Sequence, residues 1–347
     1  MKTNLLFCDC PKNEVESFRL SIEKTLKETT IIQSSINNKG QGNFILKGKR
    51  YINMFLFPFK IFLKRKQYNR IFGWQQFYAT NLSFFSRLFH IKKENELIIV
   101  NFTYKEKAGF IGFIYKKYMK FSLESKYVDY IHIPSYNYID FCRKHLDIPR
   151  NKFIVTSFGI PETFKEWENR PIDISNYSLS IGRSNRDFDF LVRLWSSPYL
   201  NSEKLIIISD TYKPKHHLPN NITLYNNITG NRSFPYIKNC KLMIIPIDNG
   251  NICSGDTVLL TGLMFHKAVV ITQPSTLAEM YIDNNINGIC IDKENLTDNA
   301  QKIRELLNDE EKLKLLGENG YIKFANNFSR FAMGEKLCSQ IIEKSKS

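Results

Sequence analysis

Short apolar runs recur through this chain, separated by longer stretches of helical spacing. Residues 97–100, 205–208, 242–245, 268–271 and 288–291 are runs of this kind, bounded by polar loop residues. Four or five apolar residues are too few for a helix and fit a strand covered on both faces. Residues 5–7, 31–32, 127–133, 153–155 and 177–181 read as further, shorter or more interrupted strands. Between them lie helical patterns such as Phe18, Ile22 and Leu26, or Ile303, Leu306, Leu307, Leu313 and Leu316. Strands alternating with amphipathic helices predict an α/β chain of doubly wound, mostly parallel sheets.

A length of 347 residues exceeds one comfortable core, so two domains are expected. The pattern breaks at Phe158-Gly159-Ile160-Pro161-Glu162, where glycine and proline interrupt it. The expected domains are Rossmann-like: residues 1–160, residues 161–325, and a helical segment 326–347 that returns to the first. A glycine- and asparagine-rich loop is read at 37–43.

Charge divides at the same place. Residues 1–165 hold 28 Lys and Arg against 13 Asp and Glu, whereas residues 166–347 hold 21 of each. A uniform compositional bias would have spread the excess of +15 over both halves. A basic body is therefore joined to a neutral one, and the basic body should be drawn to an anionic surface or polymer. The seven cysteines are odd in number and show neither a disulfide framework nor zinc-ligand spacing, which fits a reducing, cytoplasmic compartment. The first residues contain no signal-peptide core, and no run of 18 apolar residues could span a bilayer.

Two segments of the second half point to phosphate. Ile181-Gly182-Arg183-Ser184-Asn185-Arg186-Asp187 puts two arginines just after an apolar run. Ser254-Gly255-Asp256-Thr257 is a small-residue turn opening the apolar stretch 258–265. Guanidinium forks and helix N-termini, placed where strands hand over to helices, hold phosphates in α/β proteins. The pair implies a diphosphate ligand.

With these landmarks in order, the second half resembles the donor domain of the GT-B glycosyltransferases that use nucleotide sugars, of the kind active in polysaccharide biosynthesis. The segments that carry the resemblance are 153–161, 179–187, 243–246, 254–257, 267–272 and 281–288. It implies two Rossmann-like domains facing across a cleft, and a nucleoside diphosphate sugar as substrate with no cofactor. Arg183 and Arg186 would take the family's positions on the diphosphate. The N–H groups of Ser254, Gly255, Asp256 and Thr257 would receive the distal phosphate, and Thr261 and Asp210 would lie near the ribose. Such a leaving group gains charge as its bond breaks, and arginines with helix N-termini could neutralise it without a metal. One departure stands out. Where many retaining members carry two spaced glutamates, this chain has Cys253 and Thr261, and neither is a carboxylate.

The first half mixes aromatic and basic residues in segments 50–66, 73–89 and 110–120, and residues 39–126 hold 18 basic and 4 acidic side chains. That composition suits an anionic membrane surface with aromatics at headgroup depth. Each segment read alone also fits a core helix with solvated lysines. Nucleic acid is not the expected partner, because no helix-turn-helix, zinc-finger or RRM-type motif is present. A base for the acceptor hydroxyl should follow a strand of this half. Asp9 and Glu106 are the candidates, with His90 and His132 as further titratable groups. Glu106 stands between Lys105 and Lys107, which would weaken it as a base.

The expected function is a metal-independent hexosyltransferase on the inner face of the cell membrane. It would move a sugar to a hydroxyl of a lipid-linked or growing surface polysaccharide. The rivals are a transferase with a soluble acceptor and a catalytically inactive GT-B scaffold.

Overall fold

The computed structural model describes residues 3–36, 44–162, 170–228, 230–251 and 254–346. It divides the chain into two compact units, residues 1–161 with 329–347, and residues 162–328. The loop read at 37–43 lies outside the described residues.

Each unit is built on a six-stranded parallel sheet. In the first, β1 (Thr3–Cys8), β2 (Thr30–Ser34), β3 (Tyr68–Gly73), β4 (Glu96–Ile99), β5 (Tyr130–Ile133) and β6 (Phe153–Val155) take the order β2-β1-β3-β4-β5-β6. In the second, β7 (Tyr177–Ile181), β8 (Lys204–Ile208), β9 (Ile222–Tyr225), β10 (Leu242–Ile245), β11 (Ala268–Thr272) and β12 (Ile289–Ile291) take the order β12-β11-β10-β7-β8-β9. In both sheets the order reverses beside the first strand: between β1 and β3, and between β7 and β10. At such a reversal the loops leaving the carboxyl ends of the two strands diverge to opposite faces and leave a crevice for ligands.

Side-chain alternation assigns the two faces of the first sheet. Leu5, Phe7, Ile71, Leu97, Ile99 and Ile131 pack beneath the helices Phe44–Lys64, Gln76–Leu88, Gly109–Leu123 and Asn137–Leu146. Leu6, Cys8, Phe72, Ile98 and Ile154 pack on the other face against Phe18 and Ile22 of the helix Glu16–Leu26, and against Met333, Leu337 and Ile341 of the helix Arg330–Lys346. The last helix thus supplies half the cover of a sheet whose strands come from the other end of the chain. Gly334 makes that approach possible, because a Cβ there would collide with the Ser21 hydroxyl.

Two strands escape the sequence pattern. In β3, Asn69 and Arg70 interrupt the apolar run, and Arg70 is there to bind Glu28 and Glu96 at 2.8 and 2.6 Å. β9 is an edge strand paired only with β8, and its Thr223 is exposed.

His132 on β5 is buried. Its Nδ1 accepts from the Asn101 N–H at 3.1 Å, and its Nε2 lies 2.8 Å from the Thr156 hydroxyl. An Nδ1 that accepts carries no proton, so the imidazole is neutral with its proton on Nε2. Burial holds its pKa down at about 4, against 6.5 for the free side chain.

Two predictions follow the packing. Gly334→Val should force the helices Glu16–Leu26 and Arg330–Lys346 apart and destabilise the first unit by about 1–3 kcal/mol. Urea denaturation followed through Trp74 fluorescence, with the other tryptophans replaced, reads the change. His132 should make stability depend on acid. Between pH 6.5 and about 4 only the unfolded chain takes up the proton, so stability falls as pH drops through that window. The loss should reach about 3 kcal/mol at its lower end. His132→Gln should lack this component, and equal acid slopes for the two proteins would show that His132 does not cause it.

Candidate functional site

The site in the second unit forms where β7 and β10 diverge. Gly182 follows β7, and the chain turns through Arg183, Ser184 and Asn185 before Asp187 caps the helix Phe188–Trp195 by accepting from the Phe190 N–H at 2.9 Å. This turn is tied down on several sides. Arg186 bridges to Ile247 just beyond β10, and the Asp187 N–H donates to the Pro246 carbonyl. Asn185 exchanges hydrogen bonds with the Asn249 main chain at 2.7 and 3.0 Å. Lys293 pairs with Asp187 at 3.1 Å. The two loops therefore form one rigid rim across the switch point.

Arg186 is the strut of that rim. Its side chain runs over Gly182 and reaches Gly255, and a Cβ on either glycine would collide with it. Its Nε donates to the Ile181 carbonyl at 3.4 Å, and its Nη1 donates to the Asn185 and Ser254 carbonyls at 3.1 Å each. Burial lowers its pKa to about 10, while Asp256 acts in the opposite direction. The guanidinium is still charged at neutral pH. A buried cation held mainly by neutral carbonyls favours an incoming anion.

Gly255 enters the helix Asp256–Met264 with φ 109°, a conformation that glycine adopts without strain. Gly255 itself has no side chain to cap the first turn, and the positive end of a helix attracts a ligand oxygen. Asp256 is the first residue of this helix and accepts from the Tyr281 hydroxyl at 3.4 Å. Farther along, Gly262 packs against Met243 of β10. Thr261 is buried, and its hydroxyl donates to the Thr257 carbonyl at 2.6 Å, within its own helix.

A cavity of about 240 Å³ opens beside this helix. Ile208, Ile228, Phe234, Ile237 and Val258 give it an apolar wall, with Thr257 and Thr261 along the helix and Gly182, Arg183 and Asp210 at the strand ends. Arg183 differs from Arg186. Its side chain is 75% exposed, with Nε 3.0 Å from the Asp210 carboxylate. Asp210, two residues past β8, is the one carboxylate among the lining residues.

Arg183, Asp210, Thr257 and Thr261 thus line one cavity, while Arg186, Ser254, Gly255 and Asp256 form the adjoining rim. Cys253 lies outside the described residues. Sequence reasoning did not find the apolar wall at Ile228, Phe234 and Ile237, nor the role of Asn185 as a loop staple. Asparagine before the second arginine, at a position that takes φ 55°, was the available signal.

The titratable candidates of the first unit are scattered. Asp9 directly follows β1, at that sheet's switch point. Burial raises its pKa above the ordinary carboxylate range, and Arg50 opposes the rise. Glu106 lies in the loop after β4, its carboxylate 2.6 Å from His145 Nδ1. Lys107 lies over the Tyr115 ring. His132 is fixed by its structural hydrogen bonds, and His90 is exposed beyond the end of the helix Gln76–Leu88, away from the carboxyl ends of the strands.

Comparison with known proteins follows the same division. Residues 211–323 match the family model of glycosyl transferases group 1. An uncharacterised glycosyltransferase of Methanocaldococcus jannaschii is 32% identical over 118 residues, covering 31% of this chain and 32% of that protein. The match therefore spans about a third of the length of this curated relative. A solved glycosyltransferase of Rickettsia africae aligns over 100% of this chain and 99% of its own, at 15% identity and a TM-score of 0.59. Anabaena Alr3699/HepE, solved in complex with UDP, aligns over 99% of this chain and 100% of its own, at 11% identity and a TM-score of 0.58. At such identities the structural likeness shows the fold. The structural likeness shows the two-domain GT-B fold, and within it residues 211–323 of the second unit match glycosyl transferases group 1.

Proposed function

We propose that the protein transfers a sugar from a nucleoside diphosphate sugar to a hydroxyl of a lipid-linked or growing surface glycan, at the cytoplasmic face of an anionic membrane. The observation that carries the donor half is the switch point of the second unit. There a buried, still-charged Arg186, the helix start at Gly255 and an apolar cavity of about 240 Å³ adjoin one another. The cavity wall suits a nucleobase, and Asp210 suits the ribose hydroxyls. The rim suits the diphosphate, with Arg183 able to swing from Asp210 onto it. The Anabaena protein of the same fold has been solved with UDP and with UDP-glucose, which supports this class of ligand.

Chemically, the acceptor oxygen attacks the anomeric carbon and the bond to the diphosphate breaks. Arg183, Arg186 and the helix N-terminus stabilise the charge that the leaving group gains. Asp9 is the proposed base that receives the acceptor's proton. It follows β1 at the switch point of its sheet, and its raised pKa makes it a better proton acceptor than an ordinary carboxylate. Glu106, already paired with His145, is the second candidate. The proposed chemistry needs no metal or cofactor. Among the described residues, no group of three or more His, Cys, Asp or Glu could hold a metal ion. The basic first unit supports an acceptor at an anionic membrane.

A second reading has one observation behind it. The Thr261 hydroxyl is engaged with its own helix, where many retaining relatives would present a carboxylate. A GT-B scaffold that binds nucleotides without transferring sugar would carry that change. Donor hydrolysis separates the two, since a scaffold releases no nucleoside diphosphate from any sugar donor.

Four outcomes are expected. A saturating nucleoside diphosphate, at about 100 times its dissociation constant, should stabilise the protein by about 2.7 kcal/mol in a thermal scan. Arg183→Ala should lower kcat/KM by about 10²–10³, on the order of 3–4 kcal/mol, without changing the unfolding midpoint. Arg186→Ala should lower both, because it also unties Ser254 from Asn185. Unchanged turnover by Arg183→Ala would remove that residue from the diphosphate site. Activity should survive EDTA; a loss reversed by Mg²⁺ or Mn²⁺ would assign the phosphate chemistry to a metal instead.

A further inference from the structure

The first unit carries apolar side chains on the outside of two helices whose other sides already fill the core. In the helix Phe44–Lys64, Met54, Phe57, Ile61 and Phe62 pack inward, while Tyr51, Ile52, Phe55 and Leu56 form an exposed stripe. In the helix Gly109–Leu123, Met119 and Leu123 pack inward, while Phe110, Ile111, Phe113 and Ile114 are 76%, 73%, 54% and 51% exposed. A helix that is apolar on its solvent side as well as its core side needs a second apolar environment.

The two stripes belong to one end of one face. Both helices pack against the helix Gln76–Leu88 on the same side of the sheet. Each follows a strand and runs back along it, so its amino-terminal half lies near the carboxyl edge of the sheet. The contacts agree. Asn53 donates to the Ser35 hydroxyl, just past β2, and the Thr103 N–H donates to Gln76 at the start of its helix. Asp9, just past β1, lies on the same edge.

The two helical segments are rich in cations. Residues 44–64 hold five basic side chains and no acidic one, and residues 103–123 hold five basic and one acidic. Lys117 lies over the Phe113 ring and Lys107 over the Tyr115 ring, each 4.4 Å from the centroid. Stems laid along apolar surface with charged heads at its margin are how lysines sit at a water–lipid boundary.

We infer that this edge is an interfacial lipid-docking surface, with the two stripes seated among the acyl chains and the lysines on anionic headgroups. The inference rests on the proposed function and deepens it, because it places the bilayer beside the edge that holds the proposed base. Charge complementarity selects this occupant. A second copy docked through the same face would set lysine against lysine. Nucleic acid would meet the charge but not Ile52, Leu56, Ile111 and Ile114, which offer no ring for a base to stack on. No described helix is long and apolar enough to cross a membrane, so the contact lies in the interface plane.

Flotation of the full chain with liposomes tests this, using phosphatidylcholine vesicles with and without phosphatidylglycerol. The wild type should float with the anionic vesicles at low salt and be largely released at 1 M salt, where the Debye length is about 3 Å. The double variants Phe110→Ser/Ile111→Ser and Phe55→Ser/Leu56→Ser should each reduce partitioning by at least about tenfold. Lys107→Glu/Lys117→Glu should abolish the preference for anionic lipid. All these side chains lie at the surface, so unfolding midpoints and stabilisation by nucleoside diphosphates should match the wild type. If the wild type fails to float, or the serine variants float equally well, the surface is refuted. A concentration-dependent dimer that the serine variants dissolve would refute it in favour of self-association. Either result with nucleotide stabilisation intact leaves the donor site standing. Loss of flotation with no nucleotide stabilisation in the wild type would overturn the proposed function as well.

Discussion

The second unit depends on one buried guanidinium. Arg186 crosses from the loop after β7 to the loop after β10 and the start of the helix Asp256–Met264, and it bonds to carbonyls on both sides. Asn185 and Asp187 tie the same two loops together through Asn249 and Pro246, and the Arg186 side chain extends the tie to Ser254 at the helix start. Gly182 and Gly255 leave the room this side chain occupies, since a Cβ on either would collide with it. The arrangement costs desolvation, visible in the lowered pKa, and leaves a positive centre beside the start of that helix. Structural strut and anion site are thus one feature: the carbonyls fix the arginine but do not neutralise it.

The first unit solves a different problem. Its sheet needs cover on both faces, yet four helices of its own strand sequence lie on one face. The other face is closed by the helix Glu16–Leu26 together with the last helix of the chain, which meet at Gly334 and Ser21. The four-helix face is correspondingly over-supplied with apolar residues. Some fill the core and the remainder face outward on the helices Phe44–Lys64 and Gly109–Leu123, among lysines.

Particular residues show what could be read in advance. The run 268–271 has no polar interruption and becomes a fully buried central strand. Tyr68-Asn69-Arg70-Ile71 went unread because an ion pair with Glu28 and Glu96, invisible along the chain, satisfies the arginine in a strand. His132 shows the same limit. Along the chain it is one more titratable candidate, and only the Asn101 N–H and the Thr156 hydroxyl reveal a locked neutral imidazole.

The sequence by itself determined the class of fold. Run length and period are local properties, and a string of short buried strands alternating with amphipathic helices has few ways to close other than two parallel sheets. It also marked the two segments that meet at the second switch point, because glycine and arginine after an apolar run are uncommon without a reason. Tertiary structure decided how those residues divide their labour: Arg186 inward as a strut, Arg183 outward beside Asp210. It brought Asp9 to a switch point and paired Glu106 with His145. It also decided which aromatics of the basic half are core and which are surface. All of these depend on which strands become neighbours and which helix face meets them, and that is settled by contacts between residues far apart in the chain.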